Sequence, residues 1–115
     1  MSDARLRILR IKTGIVKRLT KEKIIYESEA NQQKERIKQY KEQGKDEHLI
    51  KKQEEVLQES LMMIPDCQRR LFKAHEELKK IIDSEQDLKE TDVYPEAEKM
   101  LRESESQLIK ELLHM

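Results

Sequence analysis

An apolar stripe in the middle of the chain recurs at alternating spacings of three and four residues and continues across a proline. Its members are Ile50, Gln53, Leu57, Ser60, Ile64, Cys67, Leu71, Ala74, Leu78 and Ile81. This alternation is typical of a packed helix seam. A proline inside a helix costs about 3 kcal/mol or more. The stripe nevertheless resumes unchanged after Pro65, which favours a bent helix over an interrupted one. We therefore predict one helix over about residues 47–86 with a kink at Pro65.

The N-terminal segment carries a second helical stripe. Its members are Ala4, Ile8, Ile11, Ile15, Leu19, Tyr26, Ala30, Ile37 and Tyr40, with Glu22 and Gln33 at the two remaining positions. Gly44 suits the end of a helix, and Asp46 can cap the helix that follows. The pattern predicts a first helix over about residues 3–42 and a turn before the second.

A third and shorter stripe lies near the C-terminus. Its members are Tyr94, Ala97, Leu101, Ser104, Leu108 and Leu112. Thr91 or Asp92 can cap this helix, and Pro95 is tolerated in its first turn, so we predict it over about residues 92–113. Short connections make neighbouring helices antiparallel. The fold class is therefore all-α: an elongated antiparallel three-helix bundle in up-down-up order, with a two-helix coiled-coil end, forming a single domain over residues 1–115.

The composition agrees with long helices rather than a thick globular core. Charged residues make up 42% of the chain and aromatic residues only 3%, and the formal net charge is zero. High charge also favours disorder, but the regular stripes decide against it. Residues 5–23 hold eight basic residues and one acid, whereas residues 83–111 hold ten acids and four bases. This asymmetry indicates either internal pairing of the two ends or a polyanionic partner.

Residue patterns for enzyme, metal or membrane chemistry are weak. His48, His75 and His114 are scattered and expected to be solvated, and Cys67 on the stripe is expected to be a buried apolar residue. We predict no catalytic residues, no cofactor and no metal. No apolar run approaches the roughly 20 residues that span a bilayer, and none resembles a signal peptide. We expect a soluble cytosolic protein that binds neither membranes nor nucleic acid.

The residues before Pro65 form an apolar collar, Leu61–Ile64 in sequence. Ile64 belongs to the stripe, whereas Met62 is predicted to point away from it, and Arg69 and Phe72 continue the same outward face. Surface methionines can be incidental. The alternative is a partner-binding patch, because adaptable Met side chains, Arg and aromatic residues are typical of interfaces.

Two segments carry a family resemblance: RIKTGIVKRLTKEKIIYESEANQQ at residues 10–33 and QESLMMIPDCQRRL at residues 58–71. They closely resemble tubulin-binding cofactor A, also known as tubulin-specific chaperone A, and the likeness covers roughly residues 5–88. The resemblance implies a three-helix chaperone that binds β-tubulin after its release from the cytosolic chaperonin. It also implies that other tubulin-folding cofactors act afterwards to assemble the αβ heterodimer. Residues 106–115 extend beyond what the family leads us to expect.

The expected function is therefore capture of quasi-native β-tubulin in the cytoplasm, in association with the cytoskeleton and without catalysis. Because β-tubulin is acidic, basic side chains on the first helix are expected to assist docking. The predicted partner-binding residues are Lys17, Arg18, Lys21, Lys23, Met62, Met63, Pro65, Arg69, Arg70 and Phe72. The alternative is a coiled-coil structural adaptor that acts through homodimerisation of its two-helix end. Members of the family are described as monomers or dimers, so the resemblance does not decide the oligomeric state.

Overall fold

Three long α-helices account for most of the protein. The computed structural model describes the backbone of residues 3–113 and the side chains of residues 3–110. Helix α1 spans Ala4–Glu42, α2 spans Glu47–Ser84 and α3 spans Val93–Leu113, with a short 3₁₀ helix at Gln86–Glu90 before α3. The all-α, three-helix fold predicted from the stripes is confirmed. Helix α2 is continuous through Pro65, so that proline does not end it, while the predicted kink stays a prediction.

Short-range hydrogen bonds define the start of α1 and the turn after it. The Asp3 carboxylate accepts from the backbone N–H of Arg5 at 2.9 Å at the start of α1. At its end Gly44 adopts φ +66°, and the N–H of Lys45 donates to the carbonyl of Tyr40 at 3.0 Å. This is the Schellman arrangement that glycine permits. Asp46 then accepts from the N–H of His48 at 3.0 Å, which confirms the predicted cap of α2.

The contacts divide the chain into two compact units, residues 22–67 and the remainder. We call residues 3–21 with 68–113 the three-helix unit, because it contains parts of α1, α2 and α3. Its core is apolar and consists of Leu9, Val16, Leu19, Leu71, Ala74, Leu78, Ile82, Leu88, Val93, Tyr94, Ala97 and Met100. Residues 22–67 contain only parts of α1 and α2, and we call them the hairpin unit. The single domain remains a prediction.

The hairpin unit buries few apolar side chains. Ala30, Ile37 and Cys67 are its buried hydrophobic residues, while the α2 stripe residues Ile50 and Leu57 are only half-buried. Three further α2 positions, Gln53, Ser60 and Ile64, are also half-buried. Two helices can cover only one side of each other, so this seam keeps a partly open face.

A polar pair occupies the middle of the hairpin seam. Gln33 is 6% exposed, and its Nε2 donates to the backbone carbonyl of Gln53 at 3.1 Å and to its side-chain oxygen at 2.5 Å. Arg36 donates in turn to the Gln33 Oε1 at 3.5 Å. Because a buried polar group is stable only when it is hydrogen-bonded, this pair fixes the register of α1 against α2 in the hairpin unit.

The apolar face predicted for the start of α1 is partly wrong. Ile8 and Ile11 are 49% and 51% exposed, whereas Leu9 and Val16 are fully buried. The buried positions Leu9, Thr13, Val16, Thr20 and Lys23 themselves recur at spacings of four and three, one or two positions after the predicted stripe. Three of these five side chains are polar, so an apolar pattern selected Ile8 and Ile11 beside the core instead. Threonines fill part of the true face: Thr13 and Thr20 are buried, and each hydroxyl donates to the carbonyl four residues earlier at 2.7 Å.

Candidate functional site

The methionines before Pro65 are exposed on the hairpin unit. Met62 is 73% exposed and Met63 38%, whereas the neighbouring Ile64 is half-buried in the seam. The predicted outward direction of Met62 is therefore confirmed, and Pro65 is also exposed. Exposed methionines provide apolar area that adapts to the shape of a partner.

A shallow groove of about 430 Å³ runs beside these methionines. It is lined by Tyr26, Glu59, Ser60, Met62 and Met63, and we call these five residues the methionine surface. Helix α1 contributes only Tyr26, and α2 contributes the rest. Sequence reasoning identified the methionines but missed Tyr26 as their neighbour. The register of the two antiparallel helices could have indicated this neighbour, because pairing Gln33 with Gln53 places Tyr26 at the level of the collar residues Leu61–Ile64.

A second set of predicted residues lies on the three-helix unit. The fully buried Leu71 on α2 has three exposed neighbours in sequence, Arg69, Arg70 and Phe72, and Phe72 is 57% exposed. Lys17, Arg18 and Lys21 on α1 are exposed as well. We call these six residues the basic surface set. The Lys12–Glu77 ion pair, at 3.0 Å, joins α1 to the antiparallel α2 and shows that Lys17 is level with Phe72.

Lys23 was wrongly placed among the exposed docking residues. Its side chain is fully buried, and its Nζ pairs with the Glu27 carboxylate one turn along α1. The physical reason is the helical period, because two positions beyond the exposed Lys21 the chain has turned by about 200° toward the buried side. Lys23 thus contributes to the interior of the hairpin unit and not to a docking surface.

The basic start and acidic end of the chain pair with each other inside the three-helix unit. Arg5 contacts Glu85 at 2.9 Å and Asp87 at 2.8 Å. Arg10 contacts Asp92 and Lys17 contacts Glu96, each at 3.8 Å. Of the two explanations for the lopsided charge, these contacts favour internal pairing.

The contacts of Arg5 and the Lys12–Glu77 pair also shift side-chain pKa values. Hydrogen bonds to Asp3, Asp87 and Glu85 raise the pKa of Arg5, and the hydrogen bond from Arg5 lowers the pKa of Asp3. The Lys12 ammonium lowers the pKa of Glu77, first through its hydrogen bond and then through its charge. All these groups lie near solvent, so each contact contributes little to stability.

His75 is buried rather than solvated, which corrects the sequence interpretation. It is 7% exposed, and its Nδ1 lies 2.7 Å from the hydroxyl oxygen of the fully buried Ser104 on α3. Cys67 is buried, as predicted. His114 lies outside the described residues, and so does the side chain of Leu112.

Between residues 3 and 113, no helix combines the length and apolar character that a membrane span requires. The same part of the chain contains no group of three His, Cys, Asp or Glu side chains arranged to hold a metal ion.

Comparison with known proteins gives a consistent set of relatives. A family model described as tubulin binding cofactor A matches residues 4–101. Tubulin-specific chaperone A of Gallus gallus is 54% identical over 101 residues, which cover 88% of this chain and 94% of the relative. The structure of human tubulin chaperone cofactor a superposes with a TM-score of 0.74 at 50% identity, covering 85% of this chain and 95% of that one. The crystal structure of tubulin folding cofactor A from Arabidopsis thaliana gives 0.81 at 38% identity, with coverages of 90% and 97%.

Proposed function

The chain belongs to the tubulin binding cofactor A family, and from this premise we propose that it is a non-catalytic tubulin-folding chaperone of the cytoplasm, associated with the cytoskeleton. It captures quasi-native β-tubulin released by the cytosolic chaperonin and holds it until other tubulin-folding cofactors assemble the αβ heterodimer. The observation that carries this proposal is the match to relatives named tubulin-specific chaperone A, which extends over most of both chains.

Two exposed groups of side chains support a binding role without catalysis. On the hairpin unit, the methionine surface offers adaptable apolar area beside Pro65. On the three-helix unit, the basic surface set combines Arg, Lys and an exposed Phe, which are residue types enriched at interface hot spots or suited to an acidic partner. We propose that each group contributes to β-tubulin binding and that Lys23 does not.

Capture can be measured on newly folded tubulin. Labelled β-tubulin is folded by cytosolic chaperonin, the purified chain is added, and native gel electrophoresis separates free from bound subunit. We expect a discrete complex with β-tubulin and none with α-tubulin. Absence of a β-tubulin complex under conditions where the chaperonin releases subunits would contradict the proposed function.

Variants of the three-helix unit test the proposed residues. Arg69→Ser, Arg70→Ser and Phe72→Ser together should weaken capture more than about a hundredfold, since hot-spot Arg and aromatic residues each contribute more than about 1 kcal/mol and about 1.4 kcal/mol corresponds to tenfold. The matched control removes two exposed bases and one exposed apolar residue elsewhere in the same unit, namely Lys79, Lys80 and Ile109. It should capture β-tubulin normally. Equal losses in both triple variants, at equal helix content, would remove the basic surface set from the proposal.

A further inference from the structure

The methionine surface lies on a helix pair that lacks a third helix. Within the three-helix unit, α1, α2 and α3 all contribute side chains to a buried apolar core. Within the hairpin unit, only α1 and α2 meet, and apolar side chains remain accessible, including Ile25 at 53% and Met62 at 73%. The groove beside Met62 and Met63 therefore has the form that one face of an added helix fills.

Acidic side chains bracket the apolar lining on both helices. On α2, Glu59 precedes Met62 and Met63 by three and four residues, so it lies next to them on the same face. On α1, Glu29 follows Tyr26 by three residues and is exposed, as is Glu59. The Gln33–Gln53 pair sets the register that brings Glu29 and Glu59 to nearly the same level of the hairpin.

Acidic residues outnumber basic ones at this level of the hairpin, although Glu27 pairs with Lys23 and Glu54 with Lys41. No lysine or arginine occurs within four residues of Glu29 or of Glu59 on their own helices. In residues 22–29 and 54–66 together there are seven acids and one base, and that base is the buried Lys23. An apolar groove with an acidic rim is complementary to a partner that is apolar on one face and basic at its edges.

From this complementarity, we propose that the methionine surface binds a basic amphipathic helical segment, whose apolar face covers Tyr26, Met62 and Met63 while its Lys or Arg side chains face Glu29 and Glu59. The proposal deepens and rests on the proposed chaperone function, in that such a segment would belong to the captured client. The hairpin unit would thus bind a basic segment, whereas the basic surface set suits an acidic one.

A designed peptide tests this chemistry without tubulin. The probe is a fluorescent peptide of leucine and lysine with leucines at i, i+3, i+4 and i+7, and its binding to the full chain is followed by anisotropy. The comparison probe replaces every lysine with glutamate. We expect the lysine peptide to bind at least about tenfold more tightly at low salt, and the difference to shrink as ionic strength rises.

Two pairs of variants separate the apolar and the charged contributions. Met62→Ser with Met63→Ser should weaken binding of the lysine peptide about tenfold at every salt concentration. Its control is Leu49→Ser with Ile109→Ser, which removes two exposed apolar residues outside the groove. Glu29→Lys with Glu59→Lys should weaken binding about tenfold at low salt only. Its control, Glu35→Lys with Glu42→Lys, makes the same charge change at exposed sites outside the groove.

The outcomes distinguish this inference from the proposed function. Equal binding of both peptides, or equal effects of the groove variants and their controls, would overturn the inference whatever happens to β-tubulin. A dimer in sedimentation equilibrium that the Met62→Ser and Met63→Ser variant dissociates would overturn it too, because the occupant would then be a second copy. If the peptide pattern holds but the unmodified chain captures no β-tubulin, the groove assignment stands and the chaperone function falls.

Discussion

The buried His75–Ser104 pair gives a prediction whose size follows from its geometry. The Ser104 hydroxyl oxygen lies 2.7 Å from the His75 Nδ1 and 3.1 Å from the Leu101 carbonyl, so one hydroxyl group joins the imidazole to the backbone of α3. Replacing Ser104 with Ala removes this hydroxyl and leaves the buried Nδ1 of His75 without its hydrogen-bond partner. Loss of one buried partner costs about 1–3 kcal/mol.

The expected change in melting temperature follows from chain length. Unfolding of 115 residues carries an entropy of about 240 cal/mol/K, so a loss of about 2 kcal/mol lowers the melting temperature by about 8 °C. Circular dichroism during urea and thermal unfolding measures both quantities. Ser106→Ala is the matched control, because Ser106 is exposed on the same helix and its loss should leave the free energy of unfolding unchanged or slightly raised.

A double-mutant cycle isolates the interaction from other effects of the substitution. His75→Leu alone should cost about 1 kcal/mol, because Ser104 keeps its bond to Leu101. Replacing both partners with apolar residues should cost clearly less than the two single losses together, since neither leaves an unpaired group. Additive losses within about 0.5 kcal/mol, or a Ser104→Ala loss below about 0.5 kcal/mol, would refute the hydrogen-bond reasoning.

Two further predictions concern glycine and acid stability. Gly44→Ala should lower the free energy of unfolding by about 1 kcal/mol, because Gly44 has φ +66°. Gly14→Ala, inside α1 where an added Cβ meets open space, should raise it by about 0.5–1 kcal/mol. Urea unfolding at neutral pH measures both changes, and equal effects would contradict the backbone argument. Lys12 lowers the pKa of Glu77, so the stability that this pair provides is present above the ordinary glutamate pKa of about 4.3 and is lost as pH falls through the lowered value. Lys12→Met should therefore make the free energy of unfolding depend less on pH in that acidic range. An unchanged pH dependence would show that the Lys12–Glu77 pair does not contribute to it.

The helices could be predicted closely from the sequence because their signals are local. Stripe periodicity, the glycine at residue 44 and the Asp46 cap each act within a few residues, and the structure follows them. Cys67 and Leu71 are buried as their stripe positions indicate. The continuity of α2 across Pro65 was also predictable, because the spacing of the stripe is the same on both sides of the proline.

The burial of polar side chains could not be predicted in the same way. Lys23 and His75 have residue types that usually reach solvent, and partners such as Glu27 and Ser104 make their burial acceptable. For His75 that partner lies on another helix, at a distance no local pattern specifies. Lys23 had a possible local signal, since Glu27 is four residues away and the pair lies on the buried side of α1.

The candidate surfaces were half predictable for a related reason. Met62 could be expected to point outward because it lies off the stripe, and its exposure agrees. The groove beside it needs Tyr26 from another helix, and therefore needs the register that Gln33 and Gln53 set. Polar residues in a seam weaken an apolar pattern, yet here they determine which side chains meet across it.

The distribution of charge between the two units explains why a formal net charge of zero says little about partners. The ends of the chain pair internally through contacts such as Arg5–Glu85 and so neutralise the asymmetry visible along the sequence. A different imbalance remains: residues 22–67 contain eleven acids and eight bases, and the other unit has the opposite excess. Under the proposed function, we therefore expect an acidic segment of a client to be attracted to the three-helix unit and a basic one to the hairpin unit, since steering depends on local potential rather than on the total. Salt should therefore weaken binding at both surfaces, whereas each charge reversal should act only on the surface that carries it.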